Sequence, residues 1–176
     1  DEFNTGLALQ IARSSDETLI LNRESPSAFI NWLQKSTDGE FGMSGRYTEM
    51  EVRDAGLEAT GLSLVTSSRV SRNISAKWSK AFNQRSTLSA NGSYEKVSYT
   101  GDTFIDYNTT TGVITFAYAL NEKSTPFIKI SYADYEPVAG GYYSYLSSAD
   151  AGLHWQSSDN LQGTLQAGRS INNDGE

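Results

Sequence analysis

The sequence predicts an all-β chain: an antiparallel, up-and-down transmembrane β-barrel of about ten strands, or a segment of a larger barrel. Three observations predict it. Apolar residues recur at a spacing of two rather than three or four. Clusters that read as tight turns alternate with longer polar connections. Trp and Tyr stand near the ends of the alternating stretches, on the apolar side of the alternation.

The first strand is expected near 3–12, the second near 17–23 and the third near 27–35. Others follow near 39–50, 69–81, 85–98, 107–120, 124–135, 143–156 and 161–171. Five polar clusters separate members of the series: SSDE at 14–17, STDG at 36–39, FNQR at 82–85, NEKS at 121–124 and SSDN at 157–160. Longer connections at 51–68, 100–107 and 136–142 carry Asp, Glu, Gly, Thr and Ser. Short turns at one end and longer loops at the other are the sidedness of an outer-membrane barrel. One domain, 1–176, accounts for the whole length.

Composition agrees. The 176 residues include 15 Gly, 10 Tyr and 7 Phe but only 3 Pro, which favours strands and turns. No apolar run approaches the ~20 residues of a membrane helix. A mean hydropathy of −0.47 is compatible with a membrane barrel, where only alternate residues meet lipid. The chain carries 21 acids against 14 Lys and Arg, so no basic stripe for nucleic acid is expected. There is no Cys, which removes disulfides and thiolate chemistry. The stretch from Asp1 lacks the regions of a secretory leader, as a mature chain would.

Four hairpins resemble one another: 31–50, 76–97, 116–135 and 153–171. An aromatic precedes each turn (Trp32, Trp78, Tyr118, Trp155), and in three a Tyr follows some ten residues later (Tyr47, Tyr94, Tyr132). All seven fall on the apolar side of the alternation. Ten residues of strand tilted by ~40° would span about 25 Å, the height of a lipid-facing band. The seven rings are therefore expected to form two membrane-interface girdles, with Leu, Ile, Ala, Gly and Phe between them.

The opposite face is Ser, Asn, Thr and Gln with a few charges of both signs. Its expected lumen-lining residues are Arg46, Asn73, Lys77, Asn91, Glu95 and Lys129, followed by His154, Gln156, Gln162 and Gln166. Such a face suits water and polar solutes, sugars included, better than it suits strong ion selectivity. A soluble β-sandwich would also alternate. Its inner face would be bulkier than the Ala- and Gly-rich one here.

No catalytic, cofactor or metal site is expected. The single histidine, His154, shares parity with Asp150. Four residues of strand separate the two by about 13 Å, too far for a hydrogen bond. His154 therefore reads as a polar lumen residue rather than a general base. Glu49, Glu51, Asp54 and Glu58, and likewise Asp102, Asp106, Asp134 and Glu136, lack the spacing of a calcium loop and read as solvated charge.

The run SAKWSKAFNQRSTLSANGSYEKVSY, followed by FAYALNEKSTPFIKISYADYEP and preceded by ESPSAFINWLQKSTDGEFGMSGRY, resembles the outer-membrane β-barrel family associated with exosortase (PEP-CTERM) and exopolysaccharide systems. The resemblance covers most of the chain. It implies a location in the bacterial outer membrane, polysaccharide passage, and contacts with lipopolysaccharide and export-machinery subunits. It implies no catalytic residues. Members of that family are longer, and the closing INNDGE lacks the terminal aromatic of many such barrels, so part of a larger barrel is the expectation. The expected function is a passive, porin-like channel. The alternatives are a narrow non-conducting barrel with a structural or adhesive role, and a soluble surface β-repeat module.

Overall fold

The structure is a computed structural model that describes residues 2–12, 23–53, 66–101, 104–158 and 161–174. These form nine β-strands: β1 (Glu2–Ala12), β2 (Arg23–Ser36), β3 (Gly39–Arg53), β4 (Thr66–Ala81), β5 (Ser86–Tyr99), β6 (Tyr107–Tyr118), β7 (Ser124–Pro137), β8 (Ser144–Ser158) and β9 (Leu161–Asp174). They make one sheet in the order β1 to β9, each strand antiparallel to the next. The up-and-down antiparallel architecture is therefore as the alternation predicts.

One expected strand is corrected. β1 pairs directly and antiparallel with β2, from Glu2 opposite Leu33 to Ala12 opposite Arg23. A strand near 17–23 inserted between them would have made them parallel and kept them apart. Nine strands are present among the described residues, not ten. The turn expected at 14–17 and most of that strand lie outside them, as do residues 54–65 of the long connection.

The turns follow their chemistry. The FNQR turn closes on Asn83, whose Oδ1 accepts from Arg85 N at 2.8 Å and Ser86 N at 2.9 Å. Asn121 does the same for Lys123 N at 2.9 Å. Asn side chains favour turns because they copy a backbone acceptor in this way. At the other end, Gly101 and Gly140 take φ values of 94° and 62°. Glycine reaches this left-handed region without Cβ strain.

No second layer packs on either face among the described residues. The two sides nevertheless differ in burial, in the reverse of the soluble order. Ile74, Ile114, Ile128, Ile130 and Leu165 are 53–69 % exposed and share one face. The buried hydrophobic residues among those described, Val97 and Phe127, lie on the other face with the polar residues. One face is thus apolar and exposed, while the other is polar and holds the few buried apolar side chains among the described residues, with Arg46, Lys77, Asn91 and Gln166 still exposed on it.

Candidate functional site

Every expected lumen residue lies on the polar face. Arg46 stands opposite Asn73, and Asn73 opposite Glu95. Lys77 faces Asn91, and Gln156 faces Gln162. Lys129 faces Asp150, His154 faces Thr164, and Gln166 faces Gly152. The antiparallel ladder brings residues far apart in sequence into these rows because directly opposite residues share a face.

Much of the polar face is bonded to itself. Four hydroxyl-bearing cross-strand pairs stand at 2.7 Å: Ser44–Ser75, Ser93–Thr111, Ser131–Ser148 and His154–Thr164. The ion pairs among the described residues all lie on this face as well. They are Lys35–Glu2 at 2.8 Å, Lys77–Glu40 at 2.9 Å, Lys129–Asp150 at 3.3 Å and Arg69–Glu95 at 3.5 Å. At the short-turn end, beyond the level of Trp32, the hydrogen bond between Lys35 and Glu2 holds the Glu2 carboxyl below its ordinary value and the Lys35 ammonium above its own. Charge of both signs, largely paired, leaves no single sign to dominate the face.

The most shielded of these pairs belongs to a chain. Ser131 meets Ser148 at 2.7 Å, Ser148 donates to Asp150 at 3.1 Å, and Asp150 meets Lys129, with side-chain exposures of 15 % and 28 % for the acid and the base. Lys129→Met is expected to cost about 1–2 kcal/mol by stranding a partly buried carboxylate, and adding Asp150→Asn should recover part of it. Denaturant midpoints of the two variants measure this, and strict additivity would contradict it.

His154 does not meet Asp150. Its ring stacks on Phe127 with centroids 4.5 Å apart, and its Nδ1 lies 2.7 Å from Thr164 Oγ1. With Thr125, Gln156 and Gln162 it lines a polar pocket near the short turns. No carboxylate among the described residues bonds the ring, so the His154–Thr164 pair lacks the third group that orients a catalytic base.

The expected girdle rings, Trp32, Tyr47, Trp78, Tyr94, Tyr118, Tyr132 and Trp155, all take the apolar face by register. Two parts of that reading change. First, the ring separation shortens. Trp78 faces Ala90, so Tyr94 stands only four residues farther along β5. Four residues of strand tilted by ~40° give a height of about 10 Å, less than half of the about 25 Å expected for a girdle separation. Trp32 faces Met43, which leaves Tyr47 the same four residues away. The chain runs up to the turn and back, so residues counted through the turn do not add as height.

The apolar face also carries a charge-free band. On β4 only Ile74, Ala76 and Trp78 separate Arg72 from Lys80 on this face. On β8 the face is uncharged from Tyr145 to Trp155, and on β7 from Ser124 to Tyr132. Eight to ten steps along a tilted strand give a height of about 20–25 Å. Arg169 on β9 interrupts the band, and nothing in the structure explains it.

Second, not every ring is on the apolar face. Tyr99, Tyr107 and Tyr135 face the polar side at the long-loop end. Tyr107 and Tyr135 lie 5.0 Å apart, as do Tyr99 and Phe104. Arg69 reaches the Tyr107 hydroxyl and Glu95, each at 3.5 Å, and Ser71 donates to the same Glu95 oxygen at 2.5 Å. This aromatic and charged cluster at the mouth of the polar face was missed by the sequence reading. Its signal was parity: Tyr107 and Tyr135 are out of phase with Tyr118 and Tyr132 on the same strands.

Fold and faces together define a class: an all-β chain of up-and-down antiparallel strands with an exposed apolar face and a self-bonded polar one. Among solved structures, the toluene transporter TodX of Pseudomonas putida is similar to this chain at a TM-score of 0.43 and 12 % identity, over 86 % of this chain and 56 % of that one. The chain thus spans about half the length of that structure. No family model and no curated protein matches the chain.

Proposed function

We propose that the chain is a membrane β-barrel, or nine strands of one, in a bacterial outer membrane, and that its polar face lines a passive path for polar solutes. One observation carries the reading: large aliphatic side chains such as Ile74, Ile128 and Leu165 stand exposed on one face, while the other face half-shields Ser131, Ser148, Lys129 and Asp150 beside the buried Val97 and Phe127. In water this order leaves burial almost nothing to contribute, whereas in hydrocarbon it is the favourable order, because lipid takes the place of the core. The height of the charge-free band supports it.

The cargo we propose is uncharged and hydroxyl-rich, saccharides included. Paired charges create no strong field, and Ser, Thr, Asn and Gln can replace water around hydroxyl groups. Exopolysaccharide passage alongside other export subunits is the specific form that the family resemblance implies.

The test is the gel mobility of the detergent-solubilised protein with and without boiling. A heat-dependent shift and no soluble form without detergent are expected. A monodisperse soluble protein with no shift would defeat the membrane reading. Single-channel conductance of the shifted form then separates a water-filled path from a plugged barrel.

A further inference from the structure

On the apolar face, just beyond the charge-free band at the long-loop end, Arg72 on β4 stands directly opposite Lys96 on β5. Both side chains are exposed, and no carboxylate among the described residues lies within ion-pair distance of either. Like charges directly opposite on a sheet face repel. The chain has an acidic excess of seven, yet Glu49, the carboxylate on this face two residues from Arg72's partner Tyr47, is engaged elsewhere. It accepts from Tyr47 Oη at 2.9 Å and from Ser68 Oγ at 3.1 Å. Asn108, opposite Lys96, separates it from the next carboxylate in the row, Glu136 on β7, which is two strands from Lys96 and makes no ion pair with it.

We infer that Arg72 and Lys96 bind the phosphate headgroup of an anionic lipid, here a phosphorylated lipid A of the outer leaflet. The inference rests on the membrane reading above, because it takes this face as the lipid-facing one and the long loops as the outer end. Arg offers two parallel N–H donors to a phosphate, and Lys adds a compact charge. Tyr47 and Tyr94 flank the pair at the height where aromatic rings meet headgroups. An anion seated between Arg72 and Lys96 removes their repulsion.

The test uses the detergent-folded protein and bisphosphorylated lipid A, with retention of the lipid read by native mass spectrometry. Wild type should retain lipid A in preference to phosphatidylcholine. R72Q/K96Q should weaken retention by about tenfold or more, since each cation near an anionic surface contributes on that scale. K80Q, at the opposite end of the same strand, should retain it as wild type does. The boiling-dependent shift of each variant confirms that it is folded. Equal retention by R72Q/K96Q would overturn the inference, as would displacement of lipid A by millimolar inorganic phosphate, which would mark a free-anion site. Wild-type protein that shifts on boiling but holds no lipid A would overturn it and leave the barrel standing. A protein that needs no detergent would instead remove the membrane reading itself.

Discussion

Replacing Ile128 by Arg is expected to cost about 2–4 kcal/mol when the protein is folded in lipid, the penalty for a cation near the bilayer midplane of a barrel. Ile128 is 58 % exposed in the absence of lipid and lies between Phe116 on β6 and Ala151 on β8, inside the charge-free band. Ile74→Arg should move the same way, whereas Leu88→Arg, directly opposite Lys80 at the edge of the band, should cost less. Ser75→Arg and Ser89→Arg, on the polar face, should be far milder. The midpoint of urea unfolding from phosphatidylcholine vesicles reports the difference. The sign of the contrast is the informative part. In a soluble sheet an exposed Ile tolerates Arg, whereas half-buried Ser75, 2.7 Å from Ser44, does not. Equal tolerance at both sets of positions would refute the face assignment.

Gly152→Val should cost about 3 kcal/mol, because a Cβ at this position has nowhere to go. It would run into the Phe127 ring, and it would stand 2.7 Å from the Leu165 carbonyl oxygen, which is ladder backbone and cannot turn aside. Phe127 is one of two buried apolar side chains among the described residues, 6 % exposed, and it occupies the space over the glycine. Adding Phe127→Leu to Gly152→Val should recover only part of the loss, since the carbonyl remains. Gly112→Ala is the matched comparison. Nothing lies within 4 Å of its Cβ position. That change should be neutral or slightly stabilising through the unfolded chain. Thermal or denaturant unfolding of the three variants measures this, and a Gly152→Val midpoint equal to that of Gly112→Ala would contradict it.

The period of two was legible because a strand has only two faces, and one polar or apolar residue at each position suffices to mark them. This is why Arg46, Lys129 and Gln166, on three different strands, all take the side that parity assigned to them. What parity cannot carry is pairing. The strand expected near 17–23 met the same local criteria as its neighbours, yet β1 and β2 pair without it. Spacing through a turn misled in the same way: the ten residues from the turn to Tyr94 include those that return past Trp78. The mouth cluster of Arg69, Glu95, Tyr99 and Tyr107 was legible only in part. Glu95 was placed on the correct face, but its partner Arg69 lies on the neighbouring strand, and only register brings them together.

The count of nine among the described residues has a topological consequence. Neighbouring strands alternate in direction, so β1 and β9 run the same way. A ring joined only by antiparallel seams needs an even number of staves. β1 and β9 therefore cannot seal against each other in that manner, and closure requires an odd number of further strands between them. A second copy would bring nine, an odd number, yet inserted in the same sense it leaves each junction from β9 to the next β1 parallel, so number alone is not enough.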